Sequence, residues 1–287
     1  MSRTRIITAI PLILILVGVI YFSVDVPVLF FLVGNLFVGL GMREFTRMTG
    51  GVRSVGILGA VALFSAVFIG ALGPGALPDH FSGFIGSSRG DAVLFLIVAG
   101  LFLFQATRTD GGEAIVRISA TLAGVIYVAW LFSFFPRINY YFPAGTAAAG
   151  QGRFYIFFLV LVVKVNDSAA YYFGSRWGKN KLIPRISPGK TVEGAVGGVL
   201  AGGASAVAGK YLFSLARISW PAALTLGLIL GTAAVLGDLA ESLLKRSAGR
   251  KDSGQTLPGM GGILDLLDSL LFTSPLLYFY MKLVLKL

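Results

Sequence analysis

Long apolar stretches, separated by short polar breaks, recur along the whole chain. Nine of them approach the length that crosses a bilayer as a helix, about 17–25 residues. They predict spans at 6–23, 26–42, 54–72, 92–107, 115–135, 154–174, 191–213, 221–240 and 262–284. The expected fold class is therefore an all-α polytopic integral membrane protein with about nine transmembrane helices. The first span follows MSRTR and ends YFSVDVP with no small-residue cleavage site, so it is expected to remain as an anchor. The 287 residues are expected to form one membrane domain. Its N-terminal helices occupy 1–153, and its C-terminal helices, which carry the polar chemistry, occupy 154–287.

Composition agrees with this pattern. Hydrophobic residues make up 56% of the chain and charged residues 13%. A soluble domain carries about a quarter charged residues. There is no cysteine, which removes disulfides, thiolate nucleophiles and zinc–thiolate sites. The single histidine, His80, lies in a bland Gly/Pro/Ala-rich loop, so triad-type catalysis lacks its parts on the opposite face. No internal repeat stands out, which weakens a transporter built on inverted repeats.

Lysine and arginine placement orients the helices. Arg3, Arg5, Arg43 and Arg47, the 175–190 loop and the 245–251 run fall on one side. The bias is roughly two to one and puts the N-terminus and these loops in the cytoplasm, with the C-terminus outside. The formal net charge of +11 is then an attraction to anionic lipid rather than to nucleic acid.

Three polar clusters fall on that inner face. The first is KVNDSAAYYFGSRWGKNKL, 164–182, where Lys164, Asn166 and Asp167 interrupt an apolar run. A lysine snorkelling from the helix end explains part of this. An ionisable pair so near the middle of a span favours a polar pocket at the interface. Gly174 and Gly178 are expected to break the helix. The second is ISPGKTVEGAVGGVLAGG, 186–203. Ser187 reads as an N-cap with Pro188 at the first helical position. Pro184 stands where a phosphate loop would need glycine, so that motif is rejected. Lys190 beside a helix start can still hold phosphate. Gly194, Gly198 and Gly202 repeat every four residues, a spacing that permits close helix packing in lipid.

The third cluster is GDLAESLLKRSAGRKDSGQTLPGMGGILDLLDSLL, 237–271. On a helix, Asp238, Glu241, Ser242 and Lys245 share one face. Asp265 and Asp268 share a face of the next helix. Two such helices can aim three or four carboxylates at one point, a hard oxygen set that suits Mg²⁺ shared with phosphates. A salt-bridged surface loop is the plain alternative, but Asp265 and Asp268 sit inside an otherwise apolar helix. Carboxylates, metal and basic residues without histidine or cysteine point to phosphoryl or nucleotidyl transfer on a substrate reachable from the bilayer.

The third cluster resembles the signature of the phosphatidate cytidylyltransferase (CDP-diacylglycerol synthase) family. Ser242, Leu244, Lys245, Arg246, Lys251, Asp252, Gly254, Leu257, Pro258, Gly261, Gly262, Ile263, Asp265, Leu267 and Asp268 stand at its spacing. NDSAAYYFG and SPGKTVEG resemble that family's upstream motifs. Met260 and Leu266 depart from it, standing where the family commonly has histidine and arginine. The resemblance implies transfer of a cytidylyl group from CTP to phosphatidate, giving CDP-diacylglycerol and pyrophosphate at the cytoplasmic face of a bacterial inner membrane. It implies Mg²⁺ held by Asp238, Asp265 and Asp268, with Glu241 alongside and a second cation left open. Lys245 and Arg246 are expected at the reaction centre. Lys164, Asn166, Asp167, Ser187, Lys190, Ser242, Lys251, Asp252, Gly261 and Gly262 are expected to contact substrate. A homodimer is left open. The alternatives are transfer to an isoprenoid ether lipid phosphate, a cation transporter, or an inactive scaffold.

Overall fold

The computed structural model describes residues 3–72, 89–107, 111–142, 148–259 and 261–286. His80 and Met260 lie outside the described residues. A helical segment stands at each of the nine expected places. Among the described residues seven segments are long and apolar enough to cross a membrane. In the first and fourth segments the described apolar stretches are Thr8–Tyr21 and Phe95–Ala106.

The chain divides into two compact units, residues 1–150 with 252–264 and residues 151–251 with 265–287. The first contains α1 (Arg3–Tyr21), α2 (Pro27–Thr49), α3 (Arg53–Leu72) and α4 (Arg89–Ala106). It continues with α5 (Ala114–Gly124), a π-helical stretch at Val125–Trp130, and α6 (Phe134–Asn139). Proline starts α2 and Gly50, at φ 73°, ends it, the asymmetry that fixed-φ and αL residues produce. The core of this unit is aromatic. Phe64 packs at a tilt against Phe68 and Phe132, and Phe30 stacks on Phe68. Gly34 admits the Phe64 ring: a Cβ there would lie 2.5 Å from it. Where helices meet in an apolar medium, hydrogen bonds join them. Ser65 donates to Asn35 Oδ1 at 3.0 Å, and the Val52 amide donates to Thr121 Oγ1 at 2.7 Å.

The second unit contains α7 (Gly152–Trp177), a hairpin of β1 (Lys181–Ile183) and β2 (Ser187–Thr191), α8 (Val192–Leu212), α9 (Trp220–Ser247) and most of α10 (Ile263–Leu283). Its helices close on glycines. A Cβ at Gly198 would lie 2.8 Å from Ala170 Cβ and from the Asn166 carbonyl. One at Gly227 would lie 2.5 Å from Ala206 Cβ. The four-residue glycine spacing thus serves packing, as expected.

Two local expectations are corrected. Ser187 does not cap a helix. It begins β2, whose residues pair antiparallel with β1 in the register Lys181↔Thr191 and Ile183↔Ser187. The cap is Thr191, whose Oγ1 accepts from the Gly194 amide at 3.1 Å. Ser-Pro fits a helix start by local rule, yet the helix begins at Thr191-Val192-Glu193. It begins there because Glu193 in the first turn accepts from the Asn180 amide and side chain, which closes the hairpin onto the helix. Gly174 does not end α7 either. The helix runs on to Trp177, and Gly178 follows in an extended conformation.

Candidate functional site

The clustered polar groups on α7, β2, α9 and α10 belong to the second unit. Helix α7 supplies Asn166 and Asp167, β2 supplies Lys190, and α9 supplies Asp238. With Tyr171, Ser187 and backbone around Gly189 and Gly194 they line a cavity of about 350 Å³. Lys190 Nζ lies 2.6 Å from Asp238 Oδ2 across the cavity wall. Asn166 is buried, and its Oδ1 has no hydrogen-bond partner. A buried amide oxygen without a donor is expensive, so it marks a place where a ligand's N–H or a bound water completes the set. Lys164 pairs with Asp167 at 3.7 Å at the cavity edge.

A second cluster lies on α9 and α10. Lys245 bridges Glu241 Oε2 at 2.6 Å and Asp265 Oδ1 at 2.7 Å. Glu241 is fully buried, and its other oxygen, Oε1, has no hydrogen-bond partner. Asp268 links the two clusters. It is 9% exposed and feels the charges of Asp238, Asp167 and Lys164. Glu241 feels Asp265 and Asp268. Five carboxylates therefore repel one another along one stripe, with Lys164, Lys190 and Lys245 set among them. The 3.6-residue period creates this on α9, since Asp238, Ser242 and Lys245 fall on successive turns of one face. Ser242 donates to Asp238 at 3.4 Å.

Among the described residues no three acidic or histidine side chains form a ready metal cage. Lysines hold the carboxylates that a cation would use. The groups present are hard oxygen donors, and Asp238, Glu241 and Asp265 are each paired with a lysine. Mg²⁺ keeps few protein ligands and takes the rest from water and phosphate.

The remaining expected residues fall elsewhere. Arg246 is exposed and donates from Nε to the Ile186 carbonyl at 3.2 Å, tying the hairpin turn to α9. Lys251 is exposed. Neither lines the cavity. Asp252, Gly261 and Gly262 belong to the first unit. Asp252 is exposed there, Gly261 needs its φ of 99°, and Gly262 packs against Glu44. Leu266 is half-buried on α10. The sequence reading passed over Glu44, which stands between Arg43 and Arg47 at the polar end of α2 and reads there as an ordinary interfacial charge. It also passed over Thr191 as the cap that sets the cavity rim.

The model of the cytidylyltransferase family matches residues 3–284. The phosphatidate cytidylyltransferase of Bacillus subtilis (strain 168) is 37% identical over 212 residues, covering 72% of this chain and 74% of that protein. That of Synechocystis sp. (strain ATCC 27184 / PCC 6803 / Kazusa) is 31% identical over 295 residues, covering 95% and 92%. The uncharacterized protein YnbB of Escherichia coli (strain K12) is 35% identical over 193 residues, covering 66% of this chain and 63% of YnbB. The match thus spans less than two thirds of YnbB.

Proposed function

The chain belongs to the cytidylyltransferase family, and we propose that it transfers the cytidylyl group of CTP to phosphatidate. A phosphate oxygen of the lipid attacks the α-phosphorus of CTP, a new P–O bond forms, and the bond to the β-phosphate oxygen breaks. The products are CDP-diacylglycerol and pyrophosphate. The nucleophile is already an anion, so no strong base is needed. The barrier comes from bringing two polyanions together, and fixed positive charge lowers it.

The observation that carries this reading is the Lys190–Asp238 pair in the wall of a cavity among membrane-length helices. Lys190 turns from Asp238 to a phosphate oxygen when substrate enters. Asp238, Asp268 and Asp265 would hold Mg²⁺, with Glu241 behind them. When bound, the ion offsets phosphate charge and steadies the pyrophosphate leaving group. Asn166 offers an unused acceptor to substrate, and Lys164 and Asp167 frame the entrance. Lys245 keeps Glu241 and Asp265 from repelling each other until the cation arrives.

The substrates fit the setting. A lipid phosphate reaches the site from the bilayer, and CTP reaches it from the cytoplasm if the basic loops lie inside, as the lysine and arginine bias suggests. The test is incubation of purified protein with labelled CTP, phosphatidate and Mg²⁺. CDP-lipid and pyrophosphate appearing in equal amounts support the reading. No CDP-lipid from a folded, detergent-solubilised protein refutes it.

A further inference from the structure

Glu44 is the most completely engaged carboxylate among the described residues of the first unit. It lies on α2, 3% exposed, in a segment long and apolar enough to span the membrane. Its Oε1 accepts from the Ile263 amide at 3.1 Å and from the Thr256 hydroxyl. Its Oε2 accepts from the Leu264 amide at 3.1 Å and the Ser253 hydroxyl at 3.4 Å. Ile263 and Leu264 open α10, where the first amides of any helix lack partners within it. A carboxylate there meets both the orphan amides and the positive end of the helix dipole.

The surrounding loop is shaped to this side chain. A Cβ on Gly254 would lie 2.6 Å from Glu44 Oε1, and one on Gly262 would collide with Glu44 and Ser253. Leu257 and Gly261 exchange backbone hydrogen bonds at 2.9 and 3.1 Å, which folds the segment back on itself. Packing alone does not call for a charge here. An apolar side chain would fill the space but leave the Ile263 and Leu264 amides and two hydroxyls without this acceptor.

We infer that Glu44 is a positioning residue for the reaction: from α2 it fixes the 252–262 loop and the first turn of α10, the helix that carries Asp265 and Asp268. The inference rests on the cytidylyl-transfer reading for its kinetic consequence, and on the hydrogen bonds alone for its structural one. Glu44 touches no substrate in this scheme. It acts by fixing where α10 begins.

The experiment uses the full chain in detergent, with Glu44→Gln, Glu44→Asp and, should Glu44→Gln fail to fold, Thr256→Val. Hydrogen exchange of the 252–264 segment is measured without substrate, and kcat and KM for CTP are measured separately. Glu44→Gln should speed exchange in 252–264 while leaving α8 unchanged. It should lower kcat about tenfold or more with KM for CTP within about threefold, because alignment of the reacting groups is lost and not binding. Glu44→Asp, which keeps the carboxylate, should recover part of both. Thr256→Val, which removes one contact, should shift both in the same direction and by less. Unchanged exchange in 252–264 overturns the inference whether or not the protein makes CDP-lipid. Faster exchange with kcat within twofold of wild type, or a raised KM alone, overturns the positioning role. Absence of CDP-lipid from wild-type protein overturns the functional reading instead, and the exchange result still decides whether Glu44 holds the loop.

Discussion

Lys190, on β2 of the hairpin, places its ammonium 2.6 Å from the carboxylate of Asp238 on α9. Both groups line the same cavity, and both are partly open to it. A lysine held this way is a stored positive charge that a phosphate can claim, which leaves Asp238 free to bind a cation. Replacing Lys190 with Met should therefore weaken CTP binding more than it slows turnover. KM for CTP should rise about tenfold, equivalent to about 1.4 kcal/mol. Steady-state kinetics over a CTP titration checks this. An unchanged KM would take Lys190 off the substrate.

The carboxylates predict a different signature. Asp238→Asn, Asp265→Asn and Asp268→Asn keep shape and remove charge. Each should lower kcat about a hundredfold or more, roughly 3 kcal/mol of barrier, and each should raise the Mg²⁺ concentration needed for half-maximal rate. A Mg²⁺ titration of each variant tests it. A variant with near-normal rate and Mg²⁺ dependence does not hold the ion.

Packing makes its own prediction. Gly198→Leu would drive a side chain into Ala170 and the Asn166 backbone, both at 2.8 Å from a bare Cβ. The α7–α8 contact must open, so thermal stability in detergent should fall by about 1–3 kcal/mol, typical of overpacking. A melting curve matching wild type, with CTP binding alone lost, would mean that Gly198 borders substrate and does not serve packing.

Much of this was legible in the sequence, and the pattern of hits has a physical reason. Hydrophobic period and length find helices well, so every expected span coincides with a helical segment. Helical spacing also found the α9 face: Glu241 and Lys245 pair as i, i+4 neighbours. What failed was local competition. Ser187-Pro188 fits the local rule for a helix start, but α8 starts at Thr191-Val192-Glu193, a choice that depends on Asn180 and Glu193, which meet only once the hairpin forms. Glu44 shows the remaining limit. Its partners at 253, 256, 263 and 264 are far away in the chain, and no periodicity links them to 44.

Topology is open to direct test. The charge bias predicts cytoplasmic loops at 175–190 and 245–260. Single cysteines at Arg185 and Arg250, in a chain with no native cysteine, should resist an impermeant thiol reagent in intact cells and react after permeabilisation. Ready labelling in intact cells would reverse the orientation and separate the site from cytoplasmic CTP.

The most direct measurement is product formation. Purified protein is supplied with α-labelled CTP, phosphatidate and Mg²⁺, and lipid-extractable label is followed alongside pyrophosphate. Cytidylyl transfer predicts CDP-diacylglycerol and pyrophosphate in one-to-one yield, abolished by chelating the metal and reduced about a hundredfold by Asp268→Asn. Label that stays in the aqueous phase, with folded protein, Mg²⁺ and both substrates present, would contradict it.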